Sequence, residues 1–401
     1  MLLKLKLALA TGVAIAGLSG AAMAADVKFG FLGGVTGPIE SLTPPIIDGA
    51  KLALTHVNEQ GGLMDGQTID MVVGDTTCAD ATKAADAADR IVNVEKVSAI
   101  VGALCSGATI SAANNAGIPG GVAMISPAST SPALTALDDK GLVFRTATSD
   151  AYQGGVLARV VLGAGKNNVA VTYVNNDYGK GFADAFAAAF DGEGGTVTAS
   201  QAHEDGKADY RAEIGALSAT GADALVILAY GDGSGQTILR QALEGGDFDV
   251  FYGGDGMVSQ AMADNVPAAT GKITMTRPGT PDVPGADAFR AAAAQAGVDP
   301  DGTFVANGYD AAFILALAAE KAGSTDRAAI AGAIVDVATS PGEVILPGEW
   351  SKAKAAIAAG QDVNYEGAAG TQQFDQYGDV PGVYVVTVIK DGQIENTGMA
   401  K

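Results

Sequence analysis

Residues 99–130 read AIVGALCSGATISAANNAGIPGGVAMISPAST. Ala99–Ala103 is a short apolar run. Leu104-Cys105-Ser106-Gly107 follows as a small-residue turn that opens a helix. Val122–Ile125 is apolar again, and Ser126-Pro127-Ala128-Ser129-Thr130 is a second, polar turn. Two strands joined through a helix run parallel, because a crossover of this length returns the chain to the end where the first strand began. Apolar runs without polar alternation mark strands covered on both faces.

The same alternation extends to both sides. Upstream lie Val27–Leu32 and Ile69–Gly74, and downstream lies Leu142–Arg145. A second series comprises Val169–Val174, Thr196–Ala199, Ala224–Leu228, Val250–Tyr252 and Ile273–Met275. Helices fall between the strands. In Asp48–Asn58 the residues Ala50, Ala53, Leu54 and Val57 keep helical spacing, and in Gly181–Phe190 so do Phe182, Ala185, Phe186 and Ala189. The expected fold class is α/β, with two doubly wound parallel-sheet lobes. A length of 401 residues suits two domains, at roughly 150 residues each. The tail is less regular. Helices are expected over Gly285–Ala296, Phe304–Lys321 and Arg327–Val337. A Gly-rich stretch Asn364–Gly370, a strand Val383–Ile389 and a polar tip follow.

Residues 1–24 read as a secretory signal peptide. Lys4 and Lys6 give a positive start, Leu7 to Leu18 an apolar stretch, and Ala22-Met23-Ala24 the small residues of a cleavage site. The apolar run is shorter than the roughly 20 residues a spanning helix needs. The mature chain is expected to begin near Ala25 or Asp26, soluble and in the periplasm. Loss of the two lysines takes the formal charge from −21 to about −23. Such a surface repels nucleic acid and anionic lipid. Cys78 and Cys105 are the two cysteines. In an oxidising compartment an even count suggests a bridge, with two buried free thiols as the alternative.

The chemistry of several enzyme classes is missing. The two histidines, His56 in a helix and His203 in a polar loop, suit structural or surface roles. No cysteine–histidine spacing suits zinc. There is neither a phosphate loop nor a nucleophile elbow. Gly231-Asp232-Gly233-Ser234-Gly235 follows a strand but lacks dinucleotide-binding spacing. Neither a metal nor a cofactor is expected, and nothing argues for an enzyme.

Ligands of open α/β sheets bind beyond the carboxyl ends of the strands. Five turns fall there: Leu104–Gly107, Ser126–Thr130, Asn175–Gly179, Tyr230–Asp232 and Gly253–Gly256. The first two offer hydroxyls and backbone N–H groups, and the first opens a helix, which suits a carboxylate. Asp255 offers a negative charge that suits an ammonium. Tyr178 and Tyr230 add hydroxyls and apolar faces. Taken singly, each of these is an ordinary cap or turn residue. Together they fit a zwitterionic α-amino acid.

At these residues the chain resembles the periplasmic branched-chain amino acid binding proteins, receptors of ABC importers. The segments that carry the resemblance are Gly33–Pro38, Asp48–Ala53, Asn58–Gly62, Val101–Ser106, Ile125–Pro132, Phe144–Thr146, Asp177–Gly181 and Asn307–Ala311. They span nearly the whole mature chain. The resemblance implies a type I periplasmic binding protein, with two lobes joined by three hinge crossovers near Thr146, Arg277 and Gly378-Asp379-Val380. One lobe would be 26–146 plus 278–378, the other 147–277 plus 379–401. It implies a Cys78–Cys105 disulfide. It places the ligand carboxylate and part of its ammonium on Ser106, Ala128 and Thr130, with Ser129 in the same turn. Tyr178 would line the ligand, and so would the Tyr230 region. Asp255 stands where the family commonly carries a glutamate for the ammonium. Ile39 to Pro45 departs from the usual glycine-containing turn, in a loop that would cap the pocket. Asn364–Gly370, with Tyr365 and Glu366, is similar to more distant relatives that bind urea, amides or aromatic acids.

The resemblance thus implies a monomeric receptor that closes on a small molecule and delivers it to ABC permease subunits. The same fold tuned to urea, a short amide or an aromatic acid is the alternative. An enzyme or a signalling sensor is a third reading.

Overall fold

In the computed structural model, residues 27–400 are described. The signal-peptide stretch lies outside them. Two sheets organise the chain. The first has the order β2-β1-β3-β4-β5, built from β1 Val27–Gly33, β2 Ile69–Asp75, β3 Ala99–Gly102, β4 Met124–Ser126 and β5 Val143–Arg145. All its pairings are parallel, with Phe29 opposite both Met71 and Ala99.

The second sheet has the order β15-β14-β10-β9-β8-β6-β7. Its parallel part is β6 Asn168–Val174, β7 Thr196–His203, β8 Ala224–Leu228, β9 Phe251–Gly253 and β10 Ile273–Gly279. Every residue of β8 is buried, as its unbroken ALVIL run requires. A small separate sheet joins β11 Glu343–Ile345, β12 Val363–Gly367 and β13 Gly370–Thr371. Finally β14 Val383–Lys390 pairs antiparallel with β10, and β15 Gln393–Met399 pairs antiparallel with β14.

The structure extends the sequence reading in two places. The polar tip forms β15, an edge strand whose residues are mostly exposed. Thr196–Ala199 continues to His203, so His203 ends a strand instead of lying in a loop. It is buried, with Nδ1 2.7 Å from Thr172 Oγ1 and Nε2 3.0 Å from Ser234 Oγ. Burial pushes its pKa down to about 4, so the ring is neutral at pH 7.

The first sheet is backed by a helix over Val305–Ala322, buried at every position from Val305 to Ala319. It has no polar stripe, as expected of a helix enclosed on all sides. At Gly308 a Cβ would stand 2.7 Å from the Ile46 carbonyl, so only glycine lets the Thr43–Glu59 helix approach this closely. On the same helix Asp310 is fully buried and accepts from Tyr365 Oη at 2.6 Å, Ala368 N at 2.6 Å, Ala369 N at 2.8 Å and Gln372 Nε2 at 3.0 Å. These bonds fix the Gly-rich β12–β13 turn onto the lobe. Burial still pushes Asp310 up to about 7 against those donors.

The chain passes between the two lobes three times: after β5, after β10, where it returns to the helix packed on the first sheet, and before β14. Arg145, at the end of β5, is 1% exposed. Its Nε and Nη2 each lie 2.7 Å from the Asp379 carboxylate, and its Nη1 donates to the Ser131 carbonyl at 2.9 Å. Thr146 and Asn307 exchange bonds of 2.9 and 2.6 Å. Gln153 Nε2 donates to the Thr276 carbonyl at 2.9 Å, and Tyr384 Oη to the Ser149 carbonyl at 3.0 Å. The crossovers are therefore bonded to one another.

Candidate functional site

Between the lobes lies a narrow cavity of ≈ 30 Å³, room for about one or two waters in this closed arrangement. The first lobe contributes Ile39, Leu42, Ile46, Leu104, Cys105, Ser106, Ala128 and Phe304, and the second Tyr178, Tyr230, Asp255 and Gly256. Five residues singled out from the sequence, Ser106, Ala128, Tyr178, Tyr230 and Asp255, therefore meet on one cavity.

Each is placed by the end of a strand. Ser106 begins the helix Ser106–Ala112 directly after β3, with Cys105 as the N-cap residue. The first-turn N–H groups of a helix have no intrahelical acceptor. Cys105 is joined to Cys78 by a disulfide, with Cα atoms 5.6 Å apart, and the two form the only cysteine pair. Tyr178 lies in the first turn of Asp177–Gly192, whose N-cap Asn176 accepts from Gly179 N. Asn176 Nδ2 also reaches Tyr230 Oη at 3.3 Å. The rings of Tyr178 and Tyr230 are stacked, with centroids 5.2 Å apart and planes 18° from parallel. Gly256 N donates to Tyr178 Oη at 3.1 Å, and that hydroxyl stands 3.4 Å from Asp255 Oδ1. A Cβ at Gly256 would sit 2.9 Å from the same hydroxyl, so the close approach requires glycine.

Ser129 and Thr130 do not line this cavity. The Ser129 hydroxyl turns into the first lobe, 2.7 Å from Thr109 Oγ1 and 3.2 Å from the Ala103 carbonyl. Its amide donates to Ser126 Oγ at 3.0 Å, and the Ser131 amide to Ser106 Oγ at 3.1 Å. The amides of Ser129 and of Ser131, just beyond the turn, are thus already engaged within the first lobe, so the turn offers fewer backbone donors than the sequence suggested. Thr130 Oγ1 is buried without a hydrogen-bond partner.

The sequence reading missed Asp150. It begins the helix Asp150–Gly163, its amide donates to the Thr130 carbonyl at 2.7 Å, and it is fully buried. Neither carboxylate oxygen makes a hydrogen bond of good geometry, although the Thr130 hydroxyl is near enough to favour the charged form, and Gln153 Oε1, one turn on, has no partner. Burial, and then the neighbouring Asp255 charge, hold Asp150 well above the ordinary carboxylate range. Burial pushes Asp255 up to about 7, opposed by its own backbone amide, Gln153 and Tyr178. Arg145 favours the charged form of Asp150, but its bidentate pairing is with Asp379. An acidic residue in the first turn of a helix is commonplace, which is why nothing in the sequence separated Asp150 from an ordinary helix start.

The arrangement offers an apolar wall of Ile39, Leu42, Ile46, Leu104 and Phe304, hydroxyl and helix-start donors at Ser106, and a buried acceptor at Asp255, with Asp150 buried nearby but not on the cavity wall. The described residues hold no cluster of side chains fit for a metal ion. No helix among them is long and apolar enough to cross a membrane. The Asn364–Gly370 stretch lies away from this cavity, in the small sheet.

The family described as the receptor family ligand binding region matches residues 48–391. The leucine-, isoleucine-, valine-, threonine- and alanine-binding protein of Pseudomonas aeruginosa is 32% identical over 329 residues, 80% of this chain and 86% of that protein. Among solved structures, the leucine binding protein LivK of Thermotoga maritima superposes with a TM-score of 0.79 at 27% identity, covering 94% of this chain and 99% of that one. LivJ of Streptococcus pneumoniae, in complex with isoleucine, gives 0.75 at 25% identity, covering 92% and 98%. The match runs through both sheets and through most of the elements that build the cavity, and the chain belongs to the receptor ligand-binding family, within its Leu/Ile/Val-binding group.

Proposed function

We propose that this protein is an extracytoplasmic receptor that closes on a hydrophobic α-amino acid and delivers it to an ABC importer. The observation that carries the reading is the buried carboxylate of Asp255 on the cavity wall of one lobe, facing a cavity whose other lobe presents the helix start at Ser106. Acceptors kept from water are costly unless donors reach them. An ammonium supplies a positive charge and three donors. The helix start at Ser106 suits the ligand carboxylate. Ala128 assists at that end, and Tyr178 and Tyr230 close over the ligand from the second lobe. The wall of Ile39, Leu42, Ile46, Leu104 and Phe304 has no polar side chain, which favours an aliphatic ligand side chain. The binding properties named for the Pseudomonas, Thermotoga and Streptococcus relatives agree with this chemistry.

The lobes would be 26–146 plus 278–378 and 147–277 plus 379–401, hinged at the three crossovers. Residues 1–24 would direct the chain to the periplasm, where it acts as a monomer and meets its permease. Binding and release suffice for this role, without catalysis.

Calorimetric titration of refolded, ligand-free protein with leucine, valine, phenylalanine, glutamate, urea, acetamide and benzoate tests the reading. Binding of an aliphatic amino acid at about micromolar affinity or tighter is expected. Asp255→Ala should weaken it by more than about 2 kcal/mol. Silence from every amino acid with a response to urea, an amide or benzoate would replace the reading with a non-amino-acid receptor.

A further inference from the structure

Asp232 lies in the turn after β8, beside the cavity but not on it. Its carboxylate leaves its own lobe. Oδ2 accepts from Ser41 N at 2.8 Å, and Oδ1 accepts from Ser41 Oγ at 2.9 Å and Ser259 Oγ at 3.2 Å. The hydroxyls of Ser41 and Ser259 are themselves 3.1 Å apart. The Asp232 amide adds a bond of 3.3 Å to the Pro38 carbonyl. Pro38 and Ser41 belong to the first lobe, between β1 and the Thr43–Glu59 helix, while Asp232 and Ser259 belong to the second.

The residues interleaved with this anchor are Ile39 and Leu42, two of the apolar side chains facing the cavity. Within the first lobe the Thr43 hydroxyl holds the near end of the segment, 3.3 Å from the Ile39 carbonyl, while at Ser41 both the amide and the hydroxyl turn to the opposite lobe's carboxylate. From this geometry we infer that Asp232 is a positioning residue, a latch that sets the Ile39–Leu42 wall against the ligand only while the lobes are shut. The inference rests on the receptor reading above. Because the anchoring bonds span the cleft, they are absent when the lobes part. They form after the ligand has arrived, so they govern departure and not encounter.

The test is stopped-flow kinetics of leucine on the full mature chain, with wild type, Asp232→Ala, Asp232→Asn and Ser41→Ala. Asp232→Ala removes an anionic acceptor of three hydrogen bonds, and its dissociation rate should rise about ten- to hundredfold with an association rate within about twofold of wild type. Asp232→Asn keeps one acceptor oxygen and should fall between. Ser41→Ala keeps its amide and should also fall between. The ligand-free melting temperature should not move in any of them, which separates latching from folding. A dissociation rate in Asp232→Ala equal to wild type overturns the latch. So does a slower association with unchanged dissociation. The two readings fail separately: a wild-type chain that ignores leucine and every other amino acid overturns the receptor reading and the latch's role with it, whereas leucine binding that Asp255→Ala abolishes and Asp232→Ala leaves untouched overturns the latch alone.

Discussion

Asp255 holds its proton to about 7, whereas an unfolded chain loses it near the ordinary carboxylate value of about 3.9. Asp150, fully buried beside it, is shifted in the same direction. Between those pH values the folded, ligand-free protein binds more protons than the unfolded chain. Stability from this group is thus fully present below about 4 and lost as pH rises through about 7. An ammonium ligand has the opposite requirement, since it needs the carboxylate charged. Its affinity should weaken as pH falls below 7, by up to about tenfold per pH unit for each proton that must leave. Titration of leucine from pH 5 to pH 8 on wild type and Asp255→Asn checks this. The wild type should lose affinity towards pH 5, and the variant, which has no proton to release at that position, should show a flatter profile. Equal slopes would remove Asp255 from contact with the ligand's charge. Such coupling could not be read from the sequence, because an aspartate in a turn and one at a helix start look alike whether wet or dry. Asp255 was legible through its place after a buried strand. Asp150 was not, because only the fold brings the crossover helix under Asp255.

At the scale of elements, the legible parts are those whose burial dictates their composition. The unbroken apolar runs of β3 and β8, and the largely apolar β1 and β6, read as covered strands, and the turns after them fall at the rim that forms the cavity. β15 was read as a polar tip because an edge strand with exposed side chains has no apolar signature. The Ile39–Leu42 wall was legible as an unusual loop, but not as one anchored from the other lobe. The rim loops are also fastened to each other. Asp75, at the end of β2, accepts from Val35 N at 3.0 Å, Thr36 Oγ1 at 2.6 Å and Thr77 N at 2.9 Å, which ties the loop after β1 to the loop after β2. The Cys78–Cys105 bond ties that second loop to the helix start at Ser106. Cys105→Ser should therefore lower stability by roughly 3 kcal/mol, the chain-entropy value for a loop of this size. It should also weaken leucine binding, since Cys105 and Ser106 are on the cavity wall. Urea denaturation and calorimetry of the variant read the two effects, and unchanged values in both would mean that the bridge neither stabilises the lobe nor positions Ser106.

For the whole molecule, the question is how two lobes with separate sheets move as a pair without coming apart. The bonds among the crossovers answer it. Arg145 is buried at the end of the first lobe's last strand, and its partner Asp379 is in the third crossover, itself 13% exposed. Thr135 Oγ1 completes the cluster, 2.7 Å from both the guanidinium and the carboxylate. A buried pair of this kind adds little over an apolar replacement, but removing one partner leaves a charge stranded, at a cost of about 3–5 kcal/mol. Asp379→Ala should therefore destabilise the protein by that amount, and Arg145→Met combined with Asp379→Leu should recover much of it. The measurement is urea denaturation followed by two probes, because a two-lobed chain need not unfold in one step. Trp350, buried in the first lobe, reports that lobe by fluorescence, and far-ultraviolet circular dichroism reports both. In wild type the two transitions should coincide, since the crossovers bond the lobes together. In Asp379→Ala the midpoints should fall, and they should separate if the pair is what couples the lobes. Coincident midpoints at the wild-type concentration would show that other bonds between the lobes, such as Asp150 N to the Thr130 carbonyl and Ser131 Oγ to the Asp177 carbonyl, carry the coupling without it.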